Sequence, residues 1–424
     1  MSNPPRDDYY LPANTHETTD VPMDEERKGL LSGEQVLPGP PEPSRGYDYE
    51  HKRSLGRYLV YGAARAPLPA HHVGNRTVLI VSIDGLRADY LDRGFTPHLL
   101  DISKLGLRAK YMKPIFPTLT FPNHWALMTG LHAESHGIVA NNFWDAETDS
   151  EFHYNREAIC WKPHWWFGEP DKVPLQEKLD QIMEWIDLPL EKRPQLIMAY
   201  EPSLDQAGHA AGPYSALVND TLRYVDTFAK DLHTSLVTRN LTDIVDIVFV
   251  SDHGMTDTSH PELVYMDDIL GADGWAEISH EDGWPAMGLH FKPAANVSHY
   301  LDILLNASAE NSEKFAVYTP ETMPERYHFA DNPRIAPIYV VPNIGYVLTT
   351  HAEGDVGVNK GSHGYDNNES PMHAMFVAHG PFSAVAKAVQ QSNARQKNSE
   401  EPVSWAFQDT LRHLTGICEG PSWQ

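Results

Sequence analysis

Two short, almost wholly apolar runs constrain this chain more than any other feature: Val78-Leu-Ile-Val-Ser-Ile83 and Asp246-Ile-Val-Phe-Val-Ser251. Neither alternates polar with apolar residues, so each reads as a strand buried on both faces, the habit of parallel sheets. An acidic residue follows each at once, Asp84-Gly85 after the first and Asp252-His253-Gly254 after the second. Gln195 to Tyr200 is a third such strand, ending in EPSLDQAGH, and Ala374 to Val377 is a last short one. Helical spacing separates them. Thr96-Pro97 opens a helix through Leu105, and another runs from Pro122 to Gly130. Leu175, Leu179, Ile182, Met183 and Ile186 share one helical face, and 213–236 repeats apolar residues at threes and fours. Ala109 to Ile115 and Ile338 to Leu348 read as extended. Residues 143–173 read as irregular and aromatic, and 255–340 as turns and strands of undetermined order. The alternation predicts an α/β fold: a mostly parallel central sheet with helices on both faces.

At 424 residues the chain can bury a large core. Its formal charge of 33 − 58 = −25 disfavours nucleic-acid polymers and anionic membranes as electrostatic partners. An anionic substrate would then need bound cations to reverse the local field. Two cysteines, Cys160 and Cys418, allow neither a disulfide framework nor a thiolate zinc cluster, and whether they pair is left open by the sequence. Six N-x-[ST] sequons, at Asn75, Asn219, Asn240, Asn296, Asn306 and Asn368, exceed the roughly two that chance supplies and favour a secretory-pathway or lumenal protein.

Residues 1 to about 75 are rich in Pro, Asp, Glu and Ser without apolar periodicity and read as a disordered tail. The tail carries Glu26-Arg-Lys-Gly-Leu30-Leu31, which reads as an acidic dileucine sorting signal recognised by a cytosolic adaptor. No transmembrane segment or signal peptide is visible. A cytosolic signal, lumenal sequons and no anchor do not fit together.

The chemistry-bearing residues gather at strand ends. Asp84, Asp252 and His253 directly follow buried strands. Asp205 and His209 follow a third at i, i+4, so both face one point if that turn is helical, and His363 sits in a glycine-flanked loop. Singly, each is an ordinary turn or loop residue. Together they lie where open α/β sheets carry their active sites, and three Asp with three His make two nitrogen/oxygen sites of the kind zinc accepts. Two zinc ions about 4 Å apart clamp the attacking and leaving oxygens of a phosphoryl displacement. The stretch PTLTFPNH, 117–124, puts Thr120 just ahead of a helix start, where free N–H groups and the dipole favour an anion.

The set VSIDGLRADYL, PTLTFPNHWALMTGLHAESHGIVANNF, EPSLDQAGHAAGP, VSDHGM and GSHGYDN resembles the nucleotide pyrophosphatase/phosphodiesterases of the alkaline phosphatase superfamily, from about Arg76 to about Pro381. The resemblance implies an alkaline-phosphatase-like catalytic domain over 76–424. It further implies zinc-dependent hydrolysis of nucleotide phosphodiester and pyrophosphate bonds, through a covalent threonine-nucleotidyl intermediate that releases nucleoside 5′-monophosphates. By motif, Thr120 is the nucleophile. Asp84, Asp252 and His253 hold one zinc; Asp205, His209 and His363 hold the other. Asn141 hydrogen-bonds the phosphoryl oxygen, Phe121 stacks on the base, and Thr118 is structural. The implied substrates are nucleoside triphosphates, dinucleotides and nucleotide sugars. Relatives imply a vacuolar, endosomal or cell-surface membrane location.

The chain departs from that pattern in three places. At Pro170–Asp171 a helix and strand of the family are missing, with the aromatic that faces Phe121 across the base. The membrane span of fungal-type relatives is also missing, and the tract after Ala386 matches weakly. Skipped coding segments would explain the first two. Two other readings follow: a phosphomonoesterase or lipid-type phosphodiesterase of the same superfamily, or a metal-binding protein with impaired catalysis.

Overall fold

β1, Thr77–Ile83, runs through a five-stranded sheet and sets the frame for everything that carries chemistry. The computed structural model describes residues 76–153, 173–354, 359–383 and 385–387. The acidic tail with Glu26, Leu30 and Leu31, the Asn75 sequon, both cysteines, Trp161, Trp165, Trp166 and the Pro170–Asp171 junction lie outside the described residues.

After β1, the predicted helix forms as α1, Pro97–Leu105, with proline in its first turn. β2, Leu107–Arg108, is only two residues long. The extended segment expected over 109–115 is not a strand; it makes a single bridge, Met112 with Ala374. Pro114 and Pro117 remove backbone donors there, so no ladder can continue. α2 spans Thr120–Thr129, so Thr120 is its first residue and lies inside the helix, two positions before the expected start at Pro122. Gly130 ends it in the left-handed conformation. α3, Ala133–His136, is one turn long. β3, Asn142–Asp145, and β4, Ser150–His153, then form a hairpin inside the stretch expected to be irregular.

α4, Leu175–Ile186, buries the five apolar residues its spacing singled out. β5, Leu196–Glu201, leads directly into α5, Ser203–Ala211. α6, Ala216–Thr238, begins later than expected because the Ser215 side chain caps it by accepting from the Val218 N–H. β6 is Val245–Val250.

The region whose order the sequence left open resolves into small sheets. β7 is Thr256–Asp257, β8 Glu262–Tyr265, α7 Met266–Trp275, β9 Ile278–Asp282, β10 Met287–Phe291, α8 Val297–Glu310 and β11 Phe315–Tyr318. The extended 338–348 segment is two strands, β12 Ile338–Pro342 and β13 Tyr346–Thr349. β12 joins an antiparallel sheet in the order β11-β12-β10-β9, whereas β13 pairs parallel with β8. β14, Gly361–Ser362, pairs with β7, and β15, Phe376–His379, returns to the main sheet.

The main sheet has the order β2-β15-β6-β1-β5 and is mixed: β6, β1 and β5 are parallel, with β15 antiparallel to β6. Register pairs Ser82 with Val250 and Ile83 with Glu201, so Asp84, Asp252 and the start of α5 emerge at one end. Leu79, Val81 and Ile83 pack with α1, α4 and α6 in the main core. Ser82 alternates with them and faces the other way, where His124 of α2 meets it at 2.8 Å. Helices thus lie on both sides. A second core forms around Phe116, Phe143, Tyr327 and Tyr339 behind the nucleophile loop, and a third between the antiparallel sheet, α7 and α8.

Candidate active site

The carboxyl ends of β1, β5 and β6 deliver three carboxylates into one buried point. Asp84 follows β1, Asp252 follows β6 after Ser251, and Asp205 sits in the first turn of α5. Helical spacing carries His209 one turn on from Asp205, with Nε2 3.3 Å from Asp205 Oδ2. His363 arrives from the loop after β14, its Nε2 3.6 Å from Asp205 Oδ1 and 3.2 Å from His209 Nε2. On the other side His253 Nε2 lies 3.3 Å from Asp84 Oδ1, 3.1 Å from Asp252 Oδ2 and 3.1 Å from Thr120 Oγ1. The six residues predicted to share a site, and Thr120 with them, converge.

Backbone carbonyls set the histidine tautomers. His253 Nδ1 meets Gly254 O at 2.9 Å, His209 Nδ1 meets Gly361 O at 2.8 Å, and His363 Nδ1 meets Thr118 O at 2.9 Å. A carbonyl only accepts, so each Nδ1 carries the hydrogen and each Nε2 turns a lone pair inward. Histidine metal ligands are oriented in this manner. Glycine permits the approach: a Cβ on Gly361 would stand 2.5 Å from Gly208 O, which is too close for any side chain. Thr118 is structural as expected, donating to Tyr365 O and accepting from the Gly364 N–H.

Burial makes this cluster electrostatically incomplete by itself. Burial raises the Asp84 pKa well above the usual carboxylate range, and the Asp252 and Asp205 charges push it further. Burial acts upward on Asp252 too, but His253 and His124 outweigh it and hold that carboxyl low. Burial and the neighbouring His253 depress His363 to about 3. Asp84 Oδ1, Asp205 Oδ1 and Asp252 Oδ2 are buried without a hydrogen-bond partner. Orphaned carboxylate oxygens beside inward lone pairs cost energy unless a cation joins them. Nitrogen and oxygen donors of this kind suit zinc. Within this cluster two groups have donors close enough to share an ion, Asp205 with His209 and His363, and Asp84 with Asp205 and His253. Asp205 reaches both, beyond the single set to which its motif assigned it. The chain's overall negative charge is therefore compatible with an anionic ligand here, because metal ions would invert the local field.

Asn141 precedes β3, and its Oδ1 accepts from the Phe121 N–H at 3.0 Å. That contact turns its amide NH2 away from Phe121. Asn141 lines a cavity of about 190 Å³ with Leu119, His209, Trp284, Asn359 and His363. Phe121 is half-buried against the second core. Sequence reasoning missed His124, Tyr200 and the N–H of Gly85, which touch the ligands or the nucleophile turn, and Ser82, which touches His124. His124 lay within the singled-out octapeptide and Tyr200 closed a predicted strand, but only packing shows what they face.

The model for type I phosphodiesterase/nucleotide pyrophosphatase matches residues 78–170 and 171–366, two segments that meet at Pro170–Asp171. An uncharacterized pyrophosphatase/phosphodiesterase of Schizosaccharomyces pombe is 35% identical, over 73% of this chain and 72% of its own length. A bis(5′-adenosyl)-triphosphatase of Xenopus laevis is 30% identical over 72% of each. Ectonucleotide pyrophosphatase/phosphodiesterase family member 3 of Mus musculus is 30% identical over 74% of this chain, which spans 40% of that longer protein. Among solved structures, murine ectonucleotide pyrophosphatase/phosphodiesterase 5, as an inactive Thr-to-Ala variant in complex with AMP, has a TM-score of 0.65 at 28% identity, covering 72% of this chain and 88% of that one. The family model spans 78–366 and a relative 35% identical is matched over 72% of its own length, so the chain belongs to the type I phosphodiesterase/nucleotide pyrophosphatase family, a family of hydrolases.

Proposed function

We propose that the chain hydrolyses nucleotide phosphodiester and pyrophosphate bonds with two zinc ions and a covalent Thr120 intermediate, releasing nucleoside 5′-monophosphates. The observation that carries this is the convergence of Thr120 Oγ1, at 3.1 Å from His253 Nε2, with three orphaned carboxylate oxygens. Asp84, Asp252 and His253 would hold one ion and Asp205, His209 and His363 the other, with Asp205 also within reach of the first. Zinc held there would supply positive charge that favours ionisation of the Thr120 hydroxyl and offsets charge on the leaving oxygen. Thr120 stands at the amino end of α2, so the first-turn N–H groups and the dipole favour the phosphoryl anion beside it. Its oxygen attacks phosphorus and the bond to the leaving group breaks, leaving a nucleotidyl ester of Thr120. Water then cleaves that ester. The Asn141 amide donates to a phosphoryl oxygen, and Phe121 offers a ring to the base.

Nucleoside triphosphates, dinucleotides and nucleotide sugars are the substrate classes this reading implies. We take 76–424 as the catalytic domain and 1–75 as a tail, with a helix-plus-strand unit missing at Pro170–Asp171; the break in the family match there supports it. Exposure of Asn240, Asn296, Asn306 and Asn368 supports a glycosylated protein. Among the described residues no helix is long and apolar enough to cross a membrane.

The test is hydrolysis of p-nitrophenyl thymidine 5′-monophosphate by the purified protein, with and without chelator, beside Thr120→Ala. Activity should vanish with chelator, return with zinc, and fall at least ~1,000-fold in the variant. A folded, zinc-loaded protein without turnover overturns the reading.

A further inference from the structure

Two side chains outside the ligand set grip it from the face of the sheet opposite the main core. Tyr200 stands on β5 one residue before its end, in register with Ser82 of β1. Its hydroxyl donates to Asp84 Oδ2. That engagement fixes the carboxylate's rotation and leaves Oδ1 aimed at His253 Nε2. His124 stands one turn after Thr120 on α2. Its Nδ1 lies 2.8 Å from Thr120 O, and a carbonyl only accepts, so Nδ1 donates. Nε2 then accepts from the Ser82 hydroxyl at 2.8 Å. The same Nδ1 is 3.4 Å from Asp252 Oδ2, the oxygen that lacks a hydrogen-bond partner. The two rings meet edge to face, with centroids 5.1 Å apart and planes at 89°.

We infer that Tyr200 and His124 act as one positioning unit, which orients Asp84, Asp252 and the Thr120 turn for metal binding. Neither touches the reacting atoms. The inference rests on the metal-centre reading above. Its physical reason is mutual repulsion: Asp84, Asp205 and Asp252 are crowded carboxylates whose preferred arrangement without support is to turn apart. Tyr200 holds one from the β5 side, His124 approaches another from the α2 side, and the ring contact makes each depend on the other. Ser82 closes the unit by occupying the remaining nitrogen of His124.

The experiment compares Tyr200→Phe, His124→Gln and the double variant with the wild-type protein. Zinc affinity is measured by competition with a chromogenic chelator, and kcat and KM on p-nitrophenyl thymidine 5′-monophosphate at saturating zinc. Tyr200→Phe keeps the ring and its edge-to-face contact, so loss of folding does not cloud it. Each single variant should weaken zinc affinity about 10- to 100-fold, the range for outer-shell partners of metal ligands. Each should lower kcat with KM within about twofold. The double variant should lose less than the product of the two single losses, because one unit is broken twice. Zinc affinity within twofold of wild type in both single variants overturns the inference, as does full multiplicativity. A wild-type protein that binds no zinc sinks the metal-centre reading itself; one that loads zinc and turns over while Tyr200→Phe is indistinguishable sinks only the positioning unit.

Discussion

Gly85 shows how a single residue without a side chain shapes the centre. Its N–H donates to Asp252 Oδ1 at 3.2 Å, and it holds φ at +67°, a conformation costly for residues with a Cβ. A Cβ there would lie 3.1 Å from Asp205 Cα, Cβ and Oδ1. Gly85→Ala should therefore cost about 1–2 kcal/mol from the backbone term alone and displace Asp205. Urea unfolding and zinc titration of the same variant check both halves. An unchanged unfolding midpoint with wild-type zinc affinity would contradict the argument. The Asp-Gly pair after β1 was legible in the sequence as a strand end, but not that its amide serves a carboxylate 167 positions away.

At the scale of elements, α2 and α3 form the shoulder that carries the nucleophile. His136, in the single turn of α3, donates through Nε2 to Pro122 O at 3.1 Å and accepts the Ile138 N–H at Nδ1, 3.1 Å away. Burial lowers its pKa to about 4, the backbone bond to Pro122 only partly opposing it. A base whose folded pKa lies below its unfolded value is harder to protonate when folded. The unfolded chain therefore takes up the proton first as pH falls below about 6.5, and stability declines from there until about pH 4. His136 is half-exposed, so screening shrinks the effect. The denaturation midpoint should fall between pH 7 and pH 5 in wild type and by visibly less in His136→Gln. Identical slopes for the two proteins would dissociate this histidine from the acid response. His136 lies within the stretch PTLTFPNHWALMTGLHAESHGIVANNF; its Ile138 partner is local, whereas its bond to Pro122 exists only because α3 folds against the start of α2.

At the scale of the molecule, the main sheet is unevenly covered among the described residues. Leu79, Val81 and Ile83 are sealed under α1, α4 and α6. Across the sheet, Leu196 and Met198 of β5 are 52% and 44% exposed. They pair in register with Val78 and Ile80, themselves only half-buried. Apolar residues on an edge strand invite association, and the proposed loss of a helix and strand at Pro170–Asp171 would leave such a face. The protein should bind an apolar dye and self-associate, and Leu196→Lys with Met198→Lys should suppress both while changing stability by no more than ~0.5 kcal/mol per site. A monomer that ignores the dye would show this face to be satisfied.

The elements that one sequence window can specify came through: the strands β1 and β6, the apolar face of α4, the proline start of α1 and the glycine stop of α2, whereas β1 and β5 are covered on one face only. Asp84, Asp252, His253, Asp205 and His209 also meet at one point, because strand ends and an i, i+4 pair place a side chain by local geometry alone. What local pattern cannot encode is pairing. The sequence did not order the antiparallel sheet or divide 338–348 between two sheets. Nor did it reveal that Asp205 reaches both ligand groups, or that Tyr200 and His124 meet behind Asp84 and Asp252. Each of those depends on contacts between residues far apart in the chain, whose energies are set only when the three cores close around the strands.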